Sequence, residues 1–94
     1  MHIVRIEHPV PNFAAWKKVF DSDPLGRQLS GVRRYRVLRP VDDPGYIMVD
    51  LEFDTLVQAE ATLERLRQLW GRVEGTIINK PQGRLVEVAE SVEL

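Results

Sequence analysis

The chain has 94 residues, 44% of them hydrophobic and 29% charged, with 13 basic and 14 acidic side chains and a formal net charge of −1. That length predicts one domain over residues 1–94 around one core, and the balanced, interleaved charge excludes the basic face that a nucleic acid or an anionic membrane needs. With no cysteine, disulfides, iron–sulfur clusters, thiolate zinc sites and thiol nucleophiles are ruled out, a composition that fits the reducing cytoplasm where the chain is expected.

His2 to Glu7 alternate as a strand, with Val4 and Ile6 on one face and Ile3, Arg5 and Glu7 on the other. MHIVRIEH lacks the apolar stretch of a signal peptide, and no segment approaches the ~20 apolar residues of a membrane span. Pro9 and Pro11 are expected to stop the strand, because proline cannot donate to a ladder. Asn12 is a suitable helix N-cap, and Phe13, Trp16 and Phe20 follow at helical spacing, predicting a helix over 13–20 that ends at Asp21-Ser22-Asp23-Pro24. Residues 25–30 read as a helical turn or a loop.

Gly31 to Phe53 reads as a β-hairpin around the turn formers Pro40 to Gly45. A turn centred near Asp43 sets Arg36 opposite Asp50 and Arg34 opposite Glu52, with Tyr35 opposite Leu51 and Val37 opposite Val49. One face is then apolar and the other charged, and a one-residue slip would mix them. Thr55 and Gln58 have the spacing of a capping box. Leu56, Ala59, Leu63, Leu66, Trp70 and Val73 continue at steps of three and four, predicting a helix over 56–72 that closes between Gly71 and Gly75. Residues 76–79 form a candidate extended piece. Arg84 to Ala89 is the last strand, with Val86 and Val88 on one face and Leu85 and Glu87 on the other.

The order β-α-β-β-α-β, with two helices sharing one sheet face, predicts an α+β, ferredoxin-like antiparallel sheet of strand order 4-1-3-2. The opposite face would carry Arg5, Glu7, Arg34, Arg36, Tyr46, Met48, Asp50, Glu52 and Glu87, a lattice of alternating sign. RNA-binding sheets of this topology present aromatic residues there, and only Tyr46 could serve.

His8-Pro9-Val10-Pro11-Asn12-Phe13, Trp16, Phe20-Asp21, Gly31-Val32, Val37-Leu38-Arg39, Asp43-Pro44 and Glu52-Phe53 together resemble the dimeric α/β-barrel superfamily, which includes the antibiotic-biosynthesis-monooxygenase-like proteins. The resemblance spans about residues 1 to 90. It implies a homodimer in which two sheets face each other, so that Arg5, Arg34, Arg36, Met48, Asp50 and Glu52 become interface residues. It also implies a pocket between sheet and helices in each subunit, and a cofactor-free oxygenase or isomerase acting on a small apolar or aromatic ligand. Cofactor-free and haem-degrading members place an asparagine on the first strand and often a histidine on the second helix. Here the first strand has Arg5 and Glu7, the second helix has no histidine, and only Trp70 falls in a comparable region. A non-catalytic ligand-binding or structural homodimer is therefore the alternative.

The pocket candidates are Trp16, Phe20, Tyr35, Phe53 and Trp70, which are either ordinary core or the lining of an apolar site. His8 is the one candidate catalytic group. At the end of the first strand it is either a solvent-exposed or turn-bonded histidine, or a base at the pocket mouth. His2 and His8 lie about 20 Å apart along the strand and cannot share a metal. Asp42-Asp43 and Asp21-Ser22-Asp23 do not continue into a calcium loop. No metal and no cofactor is expected.

Overall fold

The computed structural model describes residues 1–24, 26–73 and 80–94. The elements run β1 (His2–Pro9), α1 (Phe13–Asp21), β2 (Val32–Leu38), β3 (Tyr46–Phe53), α2 (Leu56–Val73) and β4 (Gln82–Glu87). The sheet is antiparallel throughout, with order β2-β3-β1-β4, as the ferredoxin-like plan requires. The extended piece expected over 76–79, much of the helix end expected between Gly71 and Gly75, and Leu25 lie outside the described residues.

β1 runs two residues further than its prolines suggested. Pro9 pairs with Tyr46 of β3, but the β4 ladder has already ended at Glu7 opposite Gln82. At position 9 the strand therefore has a neighbour on one side only, where a missing N–H is tolerated. The chain stays tied to the hairpin one residue later, where Val10 N–H donates to the Gly45 carbonyl at 2.7 Å.

The hairpin adopts the expected register: Arg36 opposite Asp50, Arg34 opposite Glu52, Tyr35 opposite Leu51, Val37 opposite Val49. A bulge between Val32 and Arg34 sets Val32, not Arg33, opposite Phe53. The extra residue keeps the Arg33 charge off the apolar face, and Arg33 meets Asp54 at 3.5 Å in the open.

The helices begin as their caps dictate. Asn12 Oδ1 accepts from Ala15 N–H at 2.9 Å, and Thr55 Oγ1 accepts from Gln58 N–H at 3.2 Å. Both helices bury their apolar stripes on one sheet face. Val4, Ile6, Ile47, Val49, Leu51 and Phe53 from the strands form one core with Trp16 of α1 and Ala59, Leu63 and Trp70 of α2.

β4 faces the other way from the sequence expectation. Leu85 pairs with Val4 and Glu87 with His2, on the helix side, whereas Val86 pairs with Ile3 and Arg84 with Arg5 on the open side. Gly83 explains the choice. A Cβ at this position would meet Leu63 Cδ1 at 2.5 Å and Trp70 Cη2 at 3.0 Å. α2 packs closely enough that any larger residue here would force Leu63 and Trp70 to shift, and the alternation of strand side chains then sends Leu85 and Glu87 to the same face. The open face accordingly gains Val86 and Arg84 and loses Glu87, so it is less purely a charge lattice than the sequence pattern implies.

Candidate functional site

Between sheet and helices lies a cavity of about 100 Å³. Ile6, His8, Val49 and Leu51 of the sheet form its floor. Trp16 and Phe20 of α1, and Leu66, Leu69 and Trp70 of α2, form its walls. Helical spacing explains the aromatic wall: Phe13, Trp16 and Phe20 lie on one side of α1. The Trp16 and Phe20 rings stack with centroids 5.0 Å apart, and Tyr35 meets Phe20 edge-on at 5.2 Å. Arg27 caps this array. Its guanidinium carbon lies 4.1 Å from the Phe20 centroid and 4.8 Å from that of Tyr35, and its Nη1 donates to the Phe20 carbonyl at 2.7 Å. The cation is thus held against both rings.

Trp16, Phe20 and Trp70 all reach the cavity lining, but Phe53 and Tyr35 do not. Phe53 is fully buried in the core opposite His2, at the end of β3 remote from His8. Tyr35 stands behind Phe20 and is 41% exposed.

His8 is the main departure from expectation. It is not a rim residue but is 2% exposed within the cavity lining. Because β1 continues to Pro9, His8 extends the inward row of Val4 and Ile6 by one more alternation. Its Nδ1 lies 3.0 Å from the Pro9 carbonyl, and the ring meets Trp16 edge-on at 6.2 Å. A carbonyl partner makes Nδ1 the protonated nitrogen and leaves Nε2 as an acceptor. Burial pushes the His8 pKa below its ordinary value, with the Pro9 bond opposing weakly. The imidazole is therefore neutral at pH 7.

Sequence reasoning passed over Thr62 and Arg27, which also line the cavity. Thr62 lies on the inner stripe of α2 between Ala59 and Leu66, so a polar residue inside an apolar repeat was the available signal. Arg27 sits in the 25–30 segment, where no periodicity places it.

On the other face of the sheet, Asp50 and Glu52 are only 3% and 8% exposed. Their cover comes from the same chain. Arg5 donates Nε and Nη2 to the two Asp50 oxygens at 2.8 and 2.9 Å, and Arg36 approaches to 3.9 Å. Arg34 grips Glu52 through Nε and Nη2. These bonds hold both carboxyls below their ordinary pKa values, against the opposing effect of burial. Met48, half-buried, pairs with Leu38 and Glu7, and the Tyr46 hydroxyl donates to Glu7 at 3.2 Å. Among the described residues no group of three histidines or carboxylates could hold a metal.

Two helices on one face of an antiparallel β2-β3-β1-β4 sheet make this a ferredoxin-like fold, with an aromatic cavity beneath the helices. Solved structures agree. SnoaB, a cofactor-independent oxygenase from Streptomyces nogalater, superposes with a TM-score of 0.72 at 13% identity, over 97% of this chain and 96% of its own. A proposed antibiotic biosynthesis monooxygenase from Deinococcus radiodurans gives 0.69 at 14% identity, over 100% and 98%. A dimeric ferredoxin-like protein from an uncultured marine organism gives 0.66 at 13% identity, over 97% of each chain. No family model and no curated protein matches the chain. At these identities the likeness establishes the fold.

Proposed function

We propose that this protein is a homodimer that takes a small aromatic ligand into the cavity under its helices and acts on it without a cofactor, as an oxygenase. The observation that carries the reading is the cavity itself, in which a buried neutral His8 shares an aromatic lining with Trp16, Phe20 and Trp70. His8 Nε2 accepts the proton of a ligand hydroxyl. The ionised, electron-rich ring of a quinol then reduces dioxygen, which forms a C–O bond at a ring C–H position. Loss of water leaves a hydroxyquinone, so one oxygen atom stays on the ring, the other departs as water, and the surrounding rings exclude bulk solvent. The fold shared with SnoaB supports the chemistry, and the dimeric ferredoxin-like neighbour supports the assembly. Dimers would join through the open sheet face, where Arg5, Arg34 and Arg36 cover Asp50 and Glu52 and Met48 and Val86 add apolar area.

The lowered His8 pKa favours a second reading. A simple phenol ionises near 10, and burial lowers the His8 imidazole still further from that, so His8 is a poor base toward it and a good hydrogen-bond acceptor. The ligand ionised by His8 must be unusually acidic, or the site binds without turnover. Oxygen uptake measured with hydroquinones bearing electron-withdrawing groups separates the two. Catalysis predicts uptake above the enzyme-free rate that falls about 100-fold or more in His8→Gln, the usual loss for a general base. Ligand binding with no uptake above that background establishes the non-catalytic protein instead.

A further inference from the structure

Thr62 is 2% exposed, and its Oγ1 is one of two buried side-chain atoms among the described residues without a hydrogen-bond partner. The other, Nδ1 of His2, is not in the cavity lining, whereas Thr62 is. A threonine inside a helix ordinarily bonds back to the carbonyl one turn earlier. Thr62 makes no such bond, so its hydroxyl stands buried and unsatisfied next to an apolar space. A buried donor in that state is destabilising unless something in the space answers it.

The cavity also restricts what that something can be. At about 100 Å³ it is smaller than the roughly 150 Å³ apolar cavity that accommodates one benzene molecule, and it is partly open to solvent. A single ring would therefore fill it closely, while a fused ring system would extend out through the opening. Trp16, Phe20 and Trp70 supply faces and edges for such a ring. The polar residues that line it come from both layers, His8 from the sheet and Thr62 from α2, together with Asp23, Arg27 and Ser30 from the segment after α1.

We propose that Thr62 is the specificity-determining residue of the cavity, selecting a single-ring aromatic that carries a hydroxyl by hydrogen-bonding that group. This rests on the reading of the cavity as a small-aromatic site, and adds that ring size and one polar substituent are what it recognises. Thr62 positions the hydroxyl from the helix side while His8 addresses it from the sheet side. A ligand of the same size without the oxygen leaves the Thr62 hydroxyl without that partner.

The test uses phenol and toluene, which differ by hydroxyl against methyl, titrated calorimetrically into wild type, Thr62→Val, Thr62→Ala and Thr62→Ser. The ratio of phenol to toluene affinity is compared between variants, which cancels the different hydration of the two probes. The ratio is expected to fall about tenfold in Thr62→Val and Thr62→Ala, the value of one hydrogen bond, and to persist in Thr62→Ser. Ligand-free Thr62→Val should melt about 4–8 °C higher than wild type, because it removes the unsatisfied group. A ratio unchanged by all three substitutions overturns the role of Thr62 and leaves the cavity reading intact. Failure of wild type to bind either probe at millimolar concentration overturns the cavity reading and this inference together.

Discussion

On the helix side of the sheet, Val4, Ile6, Val49 and Leu51 meet α1 and α2 through hydrocarbon. On the other side of the same strands, Asp50 and Glu52 are buried almost as deeply under three arginines. The helix side draws on non-directional burial, and its tolerance for error is one of shape. The open side draws on bidentate geometry. Its carboxylates are satisfied within one chain, while the arginines stay half-exposed or more, at 48–71% of their side-chain surface. A surface that satisfies its own charges can meet water or a partner without leaving an ion unpaired. The cavity has no such closure, since Thr62 and His8 present polar atoms that the fold itself does not use.

Removing a large core side chain gives the sharpest contrast. Phe53→Ala should cost about 3–5 kcal/mol in urea unfolding, with no effect on the cavity lining that Phe53 does not join. On the open side Asp50→Asn should cost less, about 1.5–3 kcal/mol, because it weakens a charge-assisted bidentate bond while Arg5 can turn toward water. Arg36→Gln, which removes an exposed charge 3.9 Å from Asp50, should cost the subunit only about 0.2–1 kcal/mol but weaken the proposed dimer in light scattering. A wild type that scatters as a monomer at micromolar concentration removes the interface role of this face altogether.

Acid should act on the two faces at different pH. His8 has a folded pKa below its unfolded value of about 6.5. Its contribution is therefore complete above that value and is lost as pH falls from 6.5 through the folded pKa. Asp50 and Glu52 also have depressed folded values, so their contribution is present above about pH 4–4.5 and is lost only as pH falls below it. Melting temperatures followed from pH 8 to pH 3 should decline in these two stages, and His8→Gln should abolish the upper one. A decline between pH 7 and 5 that persists in His8→Gln would place the responsible group elsewhere.

Much of this architecture can be read without coordinates, and the reasons are local. The hairpin register follows from alternation, because any slip would bring Arg34 or Arg36 onto the core face. α1 and α2 are marked by Asn12, Thr55 and their apolar repeats. Trp16, Phe20 and Trp70 are recognisable as large side chains on inward stripes. The facing of β4 is not legible in the sequence, because Arg84 to Ala89 is apolar enough on either face. What decides it is the close approach of α2 to Gly83, a long-range packing constraint.

The site divides in the same way. Sequence periodicity by itself determines which residues turn inward, since strand and helix repeats are properties of the backbone. That is why the fold, its strand order and the aromatic stripe were available from the chain alone. Only the tertiary structure decided that His8 is buried and neutral, that Phe53 fills core and Trp70 lines the cavity, and that Thr62 has no partner. Those facts depend on how far helix and sheet stand apart at each point and on which polar atoms meet across the gap. No pattern within one element encodes that distance.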